Sequence, residues 1–157
     1  MNDQNRKLQL FWYALFVVSA LVIIADYIIP GSVFNDEIIN VKRERQQYYN
    51  AARNYHYSYE LITSEHQFSV SEDFVQLLHN KEKIQYSVSL IFKEVNWYKL
   101  LSSKHRDVYS LRILSGLVLP LLIIITMFVS YQYKRNFGIL VFVLQILLIL
   151  DLILLMT

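Results

Sequence analysis

Three long apolar stretches dominate the sequence, at residues 8–29, 113–133 and 137–156. Each approaches or exceeds the roughly 20 residues that a helix needs to cross about 30 Å of hydrocarbon. The pattern predicts an integral membrane protein with transmembrane helices at residues 8–29, 109–133 and 137–156. Arg6 and Lys7 precede the first stretch as in a signal peptide, but the stretch is longer than the apolar core of such a peptide and no small-x-small cleavage site follows. We therefore expect a retained anchor.

Residues 31–107 are left for one small extramembrane domain between the first and second helices, because the tail at 1–7 and the turn at 134–136 are too short to fold alone. Apolar residues alternate with polar ones from Tyr55 to Leu61 and from Ile84 to Phe92, which predicts two strands. Phe68 and Val70 indicate a shorter strand that forms a hairpin with the first. Residues 37–50 fit either strand or helix, and we favour a strand.

Ser71 is typical of a helix N-cap, and Glu72 and Asp73 suit the first turn that follows it. Phe74, Leu77 and Leu78 would share one face of this helix, which would end near Asn80 and Lys81. The predicted fold is thus three transmembrane α-helices with a small, mostly β domain that contains one short helix.

Charge asymmetry predicts the orientation. Arg6 and Lys7 flank the first helix, and Lys134 and Arg135 lie in the tight turn between the second and third. The positive-inside rule places both groups in the cytoplasm and the middle domain outside. Cations also follow the first helix and precede the second, but loops longer than about 60 residues count little in this rule. The general layout looks like that of many small bacterial inner-membrane proteins, so a periplasmic domain is expected.

Composition limits the possible chemistry. The middle domain has equal numbers of acidic and basic residues, interspersed along the chain, which argues against a nucleic-acid-binding surface. The chain has no cysteine, which excludes thiol catalysis and thiolate metal sites, and its 3 glycines cannot form a glycine-rich phosphate loop. The histidines, which are His56, His66, His79 and His105, show no metal-binding spacing. We expect no catalytic, cofactor or metal site.

The middle domain is rich in aromatic residues, and Tyr55, Tyr57 and Tyr59 fall on one face of a predicted strand. Two interpretations are open. The aromatic rings supply buried area to a small core, or some of these tyrosines form an exposed protein- or glycan-binding surface.

Small and polar residues form a stripe on the second predicted helix, which predicts a contact face for another helix. At 100° per residue, the stripe comprises Arg112, Ser115, Gly116, Leu119, Ile123, Thr126 and Ser130. Pro120 lies beside it as a predicted kink. Asp26 and Arg112 would lie at matching depths near the outer boundary, where they either pair with each other or are separately solvated.

Asp151 lies deeper, in the third apolar stretch, where an ionised carboxylate is costly without a partner. Three hypotheses remain open: pairing with Arg112, pairing with a cation on another subunit, or carrying protons. Gln145 on the same helix is expected to hydrogen-bond to a neighbouring helix.

These features predict a non-catalytic accessory or assembly subunit of a larger envelope complex. Its partners would be membrane lipids and other membrane protein subunits, contacted through the helices and the exported domain. The main alternative is a small transport or channel component, a homo-oligomer in which Asp151 lines a polar path. A weaker alternative is a membrane enzyme that uses the histidines.

Overall fold

The computed structural model describes residues 3–47, 55–78, 82–133 and 138–156. The chain divides into two compact units. One, the helical unit, comprises the amino-terminal helix together with the chain from Ile113 onward. The other, the β unit, spans Pro30–Arg112. Along the chain, one long helix comes first, then the strands, then two further long helices.

The three apolar helices predicted from the sequence are present. Helix α1 spans Asp3–Ile28. The second long helix begins as α3 (Ser110–Ile113), passes through a π-helical segment (Leu114–Val118) and continues as α4 (Leu119–Tyr133). Helix α5 spans Gly138–Leu155. The segments Leu10–Ile28, Ser110–Gln132 and Gly138–Leu155 are long and apolar enough to cross a membrane, so the chain is an integral membrane protein.

The π-helical segment changes the geometry of the predicted polar stripe. The Leu119 N–H donates to the Leu114 carbonyl, one residue further back than in an α-helix. Pro120, which follows directly, has no N–H to donate and a ring that crowds the preceding turn, and both favour such a local irregularity. The uniform 100° spacing from Arg112 to Ser130 is therefore wrong across this turn, which contains Ser115 and Gly116.

The strands form two three-stranded antiparallel sheets. The first has the order β1 (Ser32–Glu37), β5 (Lys83–Val88), β6 (Val95–Leu100). The second has the order β2 (Asn40–Gln47), β3 (Tyr55–Ile62), β4 (Gln67–Val70). The β3–β4 hairpin that the alternation predicts is confirmed, with Leu61 opposite Phe68. The favoured strand within 37–50 corresponds to β2, and residues 48–50 of the predicted range lie outside the described part of the chain.

The short helix α2 (Glu72–Gln76) begins as predicted. The Ser71 side chain accepts a hydrogen bond from the Phe74 N–H, and Phe74 is the buried residue of the helix. The helix ends earlier than expected, at Gln76, with Leu77 as its C-cap and exposed to solvent. Asn80 and Lys81, where we expected the end, lie outside the described residues.

Both sheets contribute to one core within the β unit, composed of Tyr59, Leu61, Phe68, Val70, Phe74, Ile84, Tyr86, Val88, Tyr98 and Leu100. The rings of Phe68 and Tyr86 lie 5.0 Å apart, and those of Phe74 and Tyr98 lie 4.7 Å apart with one edge against the other's face. Aromatic pairs at these separations add to the stability gained from buried area. The aromatic residues of the middle domain thus supply its core.

Two strands are not predicted by the sequence pattern. β1 reads Ser-Val-Phe-Asn-Asp-Glu and has only half-buried positions on its inner side, so its alternation is weak. β6 buries Asn96, Tyr98 and Leu100, and the polar residue among them hides its alternation. In the opposite direction, β5 ends at Val88, so Leu90 and Phe92 lie in a loop and not in the strand predicted for them.

Candidate functional site

A cluster of polar side chains lies at the turn between β3 and β4. The Tyr86 hydroxyl lies 3.2 Å from Thr63 Oγ1 and 3.0 Å from His66 Nδ1. Thr63 Oγ1 also donates to the His66 carbonyl and accepts from the His66 N–H, which closes the turn. Phe34 of β1 covers the cluster, with its ring 4.9 Å from that of His66 and stacked on that of Tyr86 at 5.6 Å.

The chemistry of this cluster is that of a hydrogen-bonded anchor. Tyr86 is fully buried, and burial raises the pKa of its hydroxyl, so the hydroxyl stays protonated and can donate one hydrogen bond while accepting another. A tyrosine with a raised pKa has a smaller fraction of the reactive phenolate at neutral pH than an exposed one. The arrangement therefore ties the β3–β4 turn to β5.

Asp36 of β1 holds the same turn from outside. Its Oδ2 accepts hydrogen bonds from the Ser64 N–H at 3.0 Å and from the Ser64 hydroxyl at 2.7 Å, and its Oδ1 accepts from the Glu37 N–H. The Ser64 hydroxyl is the main reason that the pKa of this carboxyl lies below its ordinary value. Sequence reasoning missed this cluster, because Asp36 and Tyr86 lie 20 or more residues along the chain from the turn at residues 63–66 and no motif links them to it.

The histidines do not converge on a metal site in the described part of the chain. No group of three or more His, Asp or Glu side chains there could hold an ion. His66 belongs to the turn cluster, and His105 is exposed with its Nε2 at 3.6 Å from Asp107 Oδ1. His79 lies outside the described residues.

The predicted tyrosine surface divides between core and surface. Tyr59 is buried in the core, and its hydroxyl donates to Glu72 Oε1 at 3.3 Å. The interpretation of Tyr59 as part of an exposed binding surface is therefore wrong. Tyr57 is half-buried, with the Arg43 guanidinium carbon 3.5 Å from the centre of its ring. This cation–π contact covers the ring face with a solvated cation. The side chain of Tyr55 lies outside the described residues.

Within the helical unit, two of the predicted contact residues, Gly116 and Ser130, face α1. A Cβ added at Gly116 would lie 2.6 Å from Tyr27 Cδ2, so only glycine lets α1 approach this closely. Ser130 Oγ lies 3.4 Å from the Tyr13 hydroxyl. Ser115, Thr126 and Gln145 are half-buried. Met127, which the predicted stripe omits, is buried on the same helix.

The two acidic residues within the apolar spans, Asp26 and Asp151, are both buried. Asp26 is 2% exposed and follows the buried residues Ala20 and Ile23 along α1 at three-residue intervals. Asp151 is 7% exposed and lies between Leu148 and Leu155 on the buried side of α5. Carboxylates are thus placed on the inner faces of these helices, and aliphatic side chains occupy the outer faces.

Arg112, at the end of the β unit, is 5% exposed. Its Nε donates to Oδ1 of Asn96, a buried residue of β6, at 2.9 Å. The sequence offered no signal for this partner, since Asn96 lies in a strand that the pattern does not predict. The pairings predicted for Arg112, with Asp26 or with Asp151, stay predictions.

Comparison with known proteins does not assign the chain to a family. The chain matches no protein-family model, no curated protein and no solved structure.

Proposed function

We propose that the chain is a non-catalytic accessory or assembly subunit of a larger membrane complex, and that its β unit contacts a protein partner. The observation that carries the proposal is a pair of exposed aliphatic side chains, Ile39 at 66% and Leu101 at 51%. The Leu101 N–H donates to the Lys83 carbonyl at the start of β5, and the Ile38 N–H, directly before Ile39, donates to the neighbouring Glu82 carbonyl. The Ile39 N–H donates to the Ile62 carbonyl at the end of β3.

Ile39 and Leu101 follow the ends of β1 and β6, so both come at the end of the strands opposite to the one at which the chain arrives from the first transmembrane helix. Ser32 follows that helix closely and pairs with Val88, whereas Glu37 pairs with Lys83 at the other end. Six residues of strand separate these ends, roughly 17–20 Å. In this proposal, the exposed aliphatic side chains at this end of the sheet belong to the surface that a partner covers.

The proposal includes a setting. The cations at Arg6, Lys7, Lys134 and Arg135 support a cytoplasmic amino terminus with the β unit on the other side of the membrane. The general layout supports the bacterial inner membrane, which makes the β unit periplasmic. The partners are then other subunits within that membrane or beside it.

The test is purification of the full chain in mild detergent with whatever it binds, followed by native mass spectrometry. We expect one defined heteromeric complex. Leu101→Asp should weaken it by about tenfold or more, since the loss of one buried leucine costs roughly 1.5–3 kcal/mol. Val33→Asp is the control, because Val33 is 53% exposed and pairs with Ser87, toward the other end of the same sheet. Equal loss in both variants, or a chain that is always alone, contradicts the proposal.

A transport or channel component is the second candidate, and Asp151 is the residue on which it depends. A path along the axis of a homo-oligomer needs this carboxylate on an outer face, between copies. Asp151 is instead buried on the inner side of α5 within a single chain, which supports a structural role. Ion flux through proteoliposomes that contain this chain alone, abolished by Asp151→Asn, would favour transport instead.

A further inference from the structure

The loop between β5 and β6, residues 89–94, holds two large aliphatic side chains away from the core. Leu90 is 51% exposed and Ile91 is 56% exposed. The loop is closed at its base, where the Ser89 N–H donates to the Glu94 carbonyl at 2.8 Å and Ser89 Oγ accepts from the Glu94 N–H at 3.1 Å. Lys93 adopts a left-handed backbone conformation with φ 63°. This defined loop displays Leu90 and Ile91 together.

One side of the loop's base lies beside the chain that leaves the first transmembrane helix. A Cβ added at Gly31 would lie 1.9 Å from the Val88 carbonyl oxygen and 3.1 Å from Ser89 Cα. Gly31 follows Ile28, the last residue of α1, by only three residues, which span at most about 11 Å. The distance is comparable to the roughly 5–8 Å of the headgroup layer on one side of the bilayer.

The other side of the base lies beside the chain that enters the second transmembrane helix. Asn96, two residues after the loop, accepts the hydrogen bond from Arg112 Nε at 2.9 Å. Tyr98 and Asp107 exchange backbone hydrogen bonds of 2.9 and 2.8 Å. Ser110, close after Asp107, begins the second apolar span. The covalent chain therefore keeps both sides of the loop near the surface of the membrane.

We propose that the loop at residues 89–94 is a membrane-interface anchor, and that Leu90 and Ile91 insert into the boundary between lipid headgroups and acyl chains. Insertion removes the apolar surface of both side chains from water, which is favourable. Lys93 lies beside them, and a lysine can keep its ammonium group among lipid phosphates while its stem lies along apolar surface. Trp97, which follows the loop on β6, carries the Arg106 guanidinium carbon 4.4 Å from the centre of its ring, and tryptophan favours the same interface.

The absence of cysteine makes a direct test possible, because one introduced cysteine carries the only thiol label. Leu90→Cys and Leu101→Cys form a matched pair with equal native exposure, 51%, at opposite ends of the hairpin. Each full-length variant is labelled with an environment-sensitive fluorophore. It is then reconstituted in phosphatidylcholine–phosphatidylglycerol vesicles that contain either acyl-chain nitroxide lipid or aqueous iodide.

We expect the label at position 90 to be quenched several-fold more by the nitroxide lipid than the label at position 101, and to emit at shorter wavelength. The iodide should give the reverse order. The same result at position 91, from Ile91→Cys, guards against a local effect of one substitution. Labels at 90 and 91 that are as accessible to iodide as the label at 101 overturn the proposal. Labels shielded from both quenchers overturn it as well, since protein and not lipid would then cover the loop.

Discussion

The two units of this protein bury polar groups in different chemical forms. In the β unit, the buried tyrosines carry hydroxyls at the ends of large rings: that of Tyr86 lies against Thr63 and His66, and that of Tyr98 accepts from the Ser71 N–H. In the helical unit, the buried polar groups include the carboxylates of Asp26 and Asp151. Burial raises the pKa of both tyrosines, so these hydroxyls stay neutral.

This difference between the units follows from what surrounds each of them, water around the β unit and lipid around the helical unit. Water makes apolar burial the main driving force in the β unit, and large aromatic rings supply it. Lipid tails are as apolar as leucine, so apolar side chains do not distinguish the inner face of a transmembrane helix from its outer face. Small and polar residues make that distinction instead, as Gly116 does against Tyr27.

The largest predicted effect compares two isoleucines that are both fully buried, Ile84 in the β unit and Ile123 in α4. Ile84→Ala should lower the free energy of unfolding of the β unit by about 2–5 kcal/mol, because both the transfer from water and the packing are lost. Ile123→Ala should cost clearly less, since only packing is lost in lipid. Hydrogen exchange of the full chain in vesicles, read separately for the two units, measures both. Equal costs would remove the distinction between the units.

A smaller effect is expected from a pair of glycines. Gly116→Ala places a Cβ 2.6 Å from Tyr27, and overpacking of this kind typically costs 1–3 kcal/mol. Gly138→Ala meets nothing within 4 Å and serves as the control. The helical unit of the Gly116 variant should unfold at a lower denaturant concentration in detergent, and that of the Gly138 variant should be unchanged or more stable. An unchanged Gly116 variant would show that α1 does not need this close approach.

The elements that the sequence predicts well are those whose pattern is local. The three apolar helices depend only on length and apolarity, the β3–β4 hairpin on alternation around a turn, and the start of α2 on the Ser71 cap. β1 and β6 escape prediction because their inner faces mix polar and apolar residues. β5 ends at Val88 although the alternation continues to Phe92. The alternation of apolar and polar residues does not reveal the hydrogen bonds between Ser89 and Glu94 that close the loop after β5.

The candidate sites show the same division. Asp26, Arg112 and Asp151 attract attention in the sequence, because a charge in an apolar stretch is conspicuous, and all three are buried in the structure. The turn cluster and the Arg112–Asn96 hydrogen bond join residues that are distant along the chain. A single sequence does not show which residues that are distant along the chain come into contact.

The smallest predicted effect concerns Asp36, which holds the β3–β4 turn through Ser64. The Ser64 hydroxyl stabilises the ionised carboxylate of Asp36 and lowers its pKa from the ordinary value of 3.8. Above that value Asp36 is ionised in both the folded and the unfolded chain, so its hydrogen bonds stabilise the fold fully. As the pH falls through the lower pKa of the folded state, the carboxylate is protonated and this stabilisation is lost.

Ser64→Ala removes the strongest of these hydrogen bonds and keeps the backbone N–H groups of residues 37 and 64 as donors. The pKa of Asp36 should therefore rise toward 3.8, and the loss of stability in acid should become smaller. A carbon-13 NMR titration of the Asp36 carboxyl in the full chain measures the pKa directly. Ser69→Ala, on β4 and outside this hydrogen-bond set, is the control and should leave the titration unchanged. A native pKa at or above 3.8, or a Ser64 variant that titrates like the native chain, would show that the turn is held without this carboxylate.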